Sequence, residues 1–127
     1  MEHPELGMLN WDGESYWSGS RTIDGNRIEF FVDGTEESIF SEPAEYCAVI
    51  LNRFAIYLES ALDEIASTEA ISIIDARQRF RPTQVFSISK EKNGTFFYLE
   101  LADKEDEFAL WRIQFENDVA TYVGCDT

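Results

Sequence analysis

Two hydrophobic periods divide this chain. Between Cys47 and Ile65, apolar residues recur at Cys47, Ile50, Leu51, Phe54, Leu58, Ala61, Leu62 and Ile65, the spacing of one helix face. Asn52, Arg53, Glu59, Ser60, Asp63 and Glu64 fall on the other side. Ser41 is placed to cap this helix, Pro43 suits its first turn, and Glu42 and Glu45 favour the positive end of its dipole. The pattern predicts one long amphipathic helix lying on an apolar layer, for which a sheet is the natural candidate. From Thr83 onward the period falls to two. Val85 to Ser89 reads as a strand, Asn93-Gly94 turns it, and Thr95 to Leu101 returns. Phe108 to Phe115 follows, with Trp111, Ile113 and Phe115 on one face, and Asn117-Asp118 turns into Val119 to Val123.

Ahead of the helix, Asp24-Gly25-Asn26 stands between Thr22-Ile23 and the run Arg27 to Val32, a strong hairpin signal because positive φ is cheap there. Residues 1–8 read as a frayed lead-in, and residues 33–40 as a loop. Residues 67–82 carry both helix and strand signals; a short helix closed by Arg81-Pro82 is the favoured reading. The predicted fold is α+β. An antiparallel sheet, made of an N-terminal hairpin and a C-terminal four-strand meander, carries one long helix and one short helix on a single face. The whole of 1–127 reads as one domain.

Composition changes this picture in two ways. Ten Phe, five Tyr and three Trp in 127 residues separate the chain from acidic disordered sequences, which lack the apolar surface to offset ordering entropy. Against that core stand 25 Asp and Glu and 10 Lys and Arg, a formal charge of −15. Such a surface repels nucleic acid and anionic membrane and attracts cationic proteins. The acids gather between Asp33 and Glu45 and between Asp103 and Glu107, and the arginines between Arg77 and Arg81. The expectation is a polarised charge with one side facing a basic partner. Internal pairing is the favoured use of the arginines. With no apolar run of transmembrane length and no basic or apolar leader at Met-Glu-His-Pro-Glu, neither a membrane span nor a signal peptide is expected. The cysteines Cys47 and Cys125 are expected to be free thiols of a cytoplasmic protein.

Little in the chain points to chemistry. His3 is the only histidine, so the commonest general base and zinc ligand is missing from the body of the fold. Cys47 sits on the apolar stripe and reads as core. The run Asp103-Lys104-Glu105-Asp106-Glu107 is rich in oxygens but lacks the spacing and glycine of a calcium loop. Glu100, near the end of a strand, reads as a buried acid or, the favoured reading, as a residue on that strand's exposed face. Trp11, Tyr16 and Trp17 divide between core and surface, Tyr16 and Trp17 pointing to opposite faces. No metal, cofactor or catalytic residue is expected.

Three segments together resemble small bacterial α+β domains known mainly as domains of unknown function. They are Leu6-Gly7-Met8-Leu9-Asn10-Trp11 with Tyr16-Trp17-Ser18-Gly19, the central helix, and Leu110-Trp111-Arg112-Ile113-Gln114-Phe115 followed by Val123-Gly124. Some members of that group look like immunity proteins of toxin systems. The resemblance implies a bacterial cytoplasmic setting and brings no catalytic residues. Charge and resemblance lead to a non-enzymatic binding protein, an immunity-type inhibitor of a basic toxin or nuclease. Its expected contact residues are Trp17, Glu36, Glu37, Asp103, Glu105, Asp106 and Glu107. The rival readings are a hydrolase using carboxylates alone or with a divalent metal, and a homodimeric interaction module.

Overall fold

The structure, a computed structural model, describes residues 1–126; Thr127 lies outside the described residues. The elements run β1 (Glu2–His3), β2 (Gly7–Met8), β3 (Asn10–Trp11), β4 (Tyr16–Ile23), β5 (Asn26–Asp33), α1 (Ser41–Asn52), α2 (Phe54–Glu69), α3 (Ile73–Arg79), β6 (Phe80–Glu91), β7 (Gly94–Asp103), β8 (Asp106–Glu116) and β9 (Val119–Asp126). Strands β3 to β9 form a seven-stranded sheet in sequence order, and β1 and β2 form a separate hairpin.

The α+β class holds, but the sheet is mixed rather than purely antiparallel. Strands β5 and β6 run parallel, Glu29 opposite Gln84 and Phe30 opposite Val85, while every other neighbouring pair is antiparallel. A parallel pair needs a crossover that returns the chain to the starting end of the sheet. The three helices between β5 and β6 are that crossover.

The long helix of the apolar stripe is two helices, broken at Arg53 (φ −118°, ψ 25°). Helix α1 lies over β5 and β6, and α2 reaches β9. The break lets each segment follow a different part of a twisted sheet, which one straight rod of that length does not. Its cap is Phe40 rather than Ser41. Gly34 bridges to Ile39 and the Phe40 amide donates to the Asp33 carbonyl, holding the chain extended through residue 40. The short helix is present as α3, its Ser72 side chain accepting from the Asp75 amide at 3.1 Å. Arg81-Pro82, expected to close it, instead lies inside β6. Pro82 pairs with Leu101, and the register slips between Pro82 and Gln84, so the missing N–H falls at a bulge. Residues 1–8 are a hairpin rather than a frayed lead-in. His3 Nδ1 accepts from the amides of Glu5 and Leu6, and Leu6 and Leu9 are buried. The acidic loop at Asp103 to Glu107 shrinks to Lys104-Glu105, because Asp103 and Asp106 pair across the hairpin.

Alternation along the strands sorts the two faces. Ile28, Phe30, Val32, Val85, Phe97, Leu99, Leu101, Trp111, Ile113 and Phe115 are buried on the face that the helices cover, with Cys47 among their partners. Burial pushes the Cys47 thiol up to about 12. A second bulge lies between Phe86 and Ser89, where Ser87 adopts φ 54°. It skips one position, so that Ile88, not Ser87, points into the core.

The helices are pinned to the far end of the sheet by one carboxylate. Tyr46 of α1 and Tyr57 of α2 both donate to Asp118 Oδ1, at 2.5 and 2.6 Å, in the turn between β8 and β9. Burial, then this hydrogen bond, raises both hydroxyls, Tyr57 to about 12. Below the same rings, Phe97 and Phe115 stack with centroids 4.7 Å apart and meet Tyr57 edge-on. At this turn Asn117 and Asp118 take φ 50° and 67°, as a two-residue hairpin loop requires. Asn117 Oδ1 also accepts from the Thr95 amide at 3.0 Å. It lies 1.9 Å from where a Cβ on Gly94 would sit, so the two neighbouring turns are locked together.

Helix α2 ends on Ala70 in the left-handed region (φ 54°), with the amides of Ala70 and Ile71 both donating to the Ala66 carbonyl. Glycine pays no steric penalty there. Ala70→Gly is therefore expected to stabilise the fold by about 1 kcal/mol, seen as a rise in Tm of roughly 4 °C in a thermal melt.

The uncovered face of the sheet as a candidate functional site

The helices protect only one face of the sheet. The opposite face carries two adjacent cross-strand rows. One runs Gln84, Glu100, Arg112, Gly124, and the next runs Phe86, Tyr98, Gln114, Tyr122, each residue directly opposite its neighbour. Phe86 and Tyr98 stack at 5.3 Å, and Phe96 meets Tyr98 edge-on at 5.1 Å. The Arg112 guanidinium lies 5.8 Å over the Phe86 ring. The Tyr122 ring covers Gly124, where a Cβ would come within 3.1 Å of it. Large aromatics shielding a glycine in a strand supply the packing that the glycine lacks. Together Phe86, Tyr98, Arg112, Tyr122, Gly124, Cys125 and Asp126 line a shallow groove of about 340 Å³.

The floor of this face holds a buried charge. Glu100 is on the side of β7 away from the helices, as expected, yet only 4% of it is exposed, because the side chains of Thr83, Gln84 and Arg112 close over it. Its Oε2 accepts from Thr83 Oγ1 at 3.0 Å and from Gln84 Nε2 at 2.5 Å. Oε1 faces Arg112 Nε at 3.5 Å, and neither atom makes a hydrogen bond. Arg112 turns its outer nitrogen to Asp126 of β9, so one cation bridges two carboxylates across three strands. Glu100, Arg112 and Asp126 together carry a net charge of −1, and the contact between Glu100 and Arg112 leaves polar capacity unused.

The seven expected contact residues do not form one surface. Trp17 is 7% exposed: its ring packs against Trp11 at 5.4 Å, and its Nε1 donates to the Thr35 carbonyl at 2.8 Å. Tyr16 is its exposed neighbour. Glu36 and Glu37 are exposed in the loop after β5. Asp103 is buried, while Glu105, Asp106 and Glu107 are exposed in and beside the β7–β8 turn. Because β5 and β6 are parallel and β7 runs back, Glu36 and Glu37 lie at one end of the strands and Asp103 to Glu107 at the other, roughly 30 Å apart. The expected single acidic side is therefore two acidic ends.

At the second end the acids are partly neutralised. Arg79 holds Asp103 through two hydrogen bonds of 2.9 Å and reaches Glu105 at 3.0 Å, and Trp111 Nε1 adds a donor to Asp103 at 3.2 Å. The Arg79 contact, then the Glu105 amide and the indole, keep the Asp103 carboxyl below its ordinary range against the cost of burial. Arg77 pairs with Glu59. Internal pairing is thus what Arg77 and Arg79 do. Both cysteines are free thiols, Cys47 buried and Cys125 exposed. Among the described residues no three His, Cys, Asp or Glu side chains converge as metal ligands, and no helix is long and apolar enough to cross a membrane.

Comparison with protein-family models, with curated proteins and with solved structures finds no match to this chain.

Sequence reasoning passed over Phe86, Tyr98, Arg112 and Tyr122. The signal was present in Phe96-Phe97-Tyr98-Leu99, where both faces of one strand are apolar or aromatic. A strand with one solvated face alternates instead.

Removing the buried partner of Arg79 separates structure from surface charge. Asp103→Asn is expected to cost about 3 kcal/mol at neutral pH. A carboxyl held low stabilises the fold above its ordinary pKa of 3.8 and loses that contribution as pH falls through its folded value. The gap between wild type and variant in urea denaturation should therefore narrow steadily below pH 3.8.

Proposed function

We propose that this chain is a non-enzymatic binding module that captures a basic protein through the uncovered sheet face and the carboxylates around it. One observation carries the reading: a row of half-buried and exposed aromatics, with a charged pair in its floor, stands without a covering layer in a chain of charge −15. Aromatics supply contact area at low entropy cost and are the usual anchors of protein interfaces. Surrounding carboxylates speed the approach of a cationic partner and align it. Acidic residues at both ends of the strands then act as steering charges, and the aromatic row as the anchor.

The state of the acids favours binding over hydrolysis. A carboxylic acid that donates a proton near neutral pH has its pKa raised. Asp103 is shifted the other way, and Glu100 is committed to Thr83, Gln84 and Arg112. An immunity-type inhibitor of a basic toxin or nuclease, the role implied by the sequence resemblance, is the version of this function in which an acidic face covers a cationic active site. A bacterial cytoplasm is its setting.

The test is chromatography of a bacterial lysate over the immobilised protein at low ionic strength, with a salt gradient for release. The retained proteins should be strongly basic, leave as salt rises, and be retained at least about tenfold less by a Phe86→Ser/Tyr98→Ser variant, in keeping with the loss of interface anchors. Retention that is indifferent to both salt and the aromatic substitutions would end this reading.

A further inference from the structure

The two edges of the seven-stranded sheet are treated differently. At one edge, β3 is only two residues long. Beyond it the N-terminal segment lies against part of β4: Leu9 packs against Gly19, and Arg21, a cation on this edge, donates to the Glu5 carbonyl at 2.6 Å. Short edge strands and covering segments are standard protection against unwanted strand pairing. At the other edge, β9 is eight residues long and is the outermost strand among the described residues. It is Val-Ala-Thr-Tyr-Val-Gly-Cys-Asp, with no Lys and no Pro, and Val119 and Tyr122 are each 61% exposed. Its register slips once, at Thr121 between Ala120 and Tyr122, and from Tyr122 to Asp126 it pairs with β8 without interruption, with no Lys or Pro to guard the outer side.

Charge decides what such an edge admits. From Glu116 to Asp126 the chain holds Glu116, Asp118 and Asp126 and no cation. Arg112, the cation nearest in register, is spent on Glu100 and Asp126. The Cys125 thiol is raised by partial burial and then by Asp103, Asp106, Asp126 and Glu69, which marks the edge as negative. A second copy of this chain brings −15 against −15. An extended cationic segment brings complementary charge.

We propose that β9 is a docking edge that takes an extended, lysine- or arginine-bearing segment of a basic partner as an added strand. Backbone hydrogen bonds along β9 hold the segment, and its alternate side chains lie beside Tyr122 and Asp126 on the uncovered face. There a cationic side chain meets an aromatic ring and a carboxylate together. This rests on the reading of the chain as a binding module for a basic protein and adds the mode of contact.

Backbone amide exchange followed by NMR tests it, with three blocked peptides as long as β9: alternating Lys and Val, alternating Glu and Val, and lysine alone. The Lys-Val peptide should slow exchange at alternate β9 amides, those that β8 does not use, by about tenfold or more; the other two should not. Tyr122→Lys, checked for an unchanged fold by its amide spectrum, should weaken the Lys-Val peptide by about tenfold through like charge on the edge. If oligolysine binds as tightly as the Lys-Val peptide and β9 amides stay fast, strand addition is wrong while attraction of basic partners survives. If neither cationic peptide binds at low salt, the binding-module reading falls as well. Concentration-dependent protection of β9 without any peptide would give the edge to a second copy and overturn the proposal.

Discussion

The parallel pairing of β5 with β6 is the constraint on which the rest of this structure depends. In an otherwise antiparallel sheet it is the one junction that a tight turn cannot make. The chain must leave the end of β5, cross the length of the sheet and re-enter beside it. The whole helical content sits in that crossing, so all three helices share one face. The face they cover becomes the core, and the other face has no layer left to cover it. The asymmetry between the two faces is thus a product of connectivity before it is a product of any side chain.

Much of this was legible in the residues, and the failures have physical causes. Period-two alternation located the four C-terminal strands, and Asp24-Gly25 and Asn117-Asp118 marked hairpin turns that do adopt positive φ. The short helix was foreseen, though α2 runs on to Glu69 and α3 begins later. The parallel pair was invisible, because strand order is set by a crossover and leaves no local signature. The break at Arg53 was masked by an apolar stripe that continues across it unchanged. Pro82 misled because proline usually ends elements, and here a bulge takes up its missing donor. Residues 1–8 read as frayed because they carry no periodic pattern, yet the His3 ring nitrogen organises the first turn of the chain.

The candidate site was less legible than the fold. Composition gave the sign of the chain's own charge, but the expected contact residues came largely from runs of acids close in sequence. Such runs say nothing about which end of a strand they occupy. Asp103 and Glu105 belong to an ion-pair cluster with Arg79 that holds the β7–β8 turn. Trp17 is a core residue whose indole is tied to Thr35. Phe86, Tyr98 and Tyr122 come from three different strands, and only the register brings them into one row. A surface assembled across strands has no linear motif.

The lock between Gly94 and Asn117 bears on how this fold tolerates change in length. The turns before β7 and before β9 lie side by side at the same end of the sheet, and the Asn117 side chain occupies the space that a side chain on residue 94 would need. Neither turn can grow without displacing the other, and Asp118 adds both tyrosines of the helical layer to the same knot. At the opposite end, the Asp24-Gly25 turn has open space around Gly25. Insertions, fusion tags and permuted termini belong there, and descendants of this chain are free to elaborate that tip while the other end keeps its length.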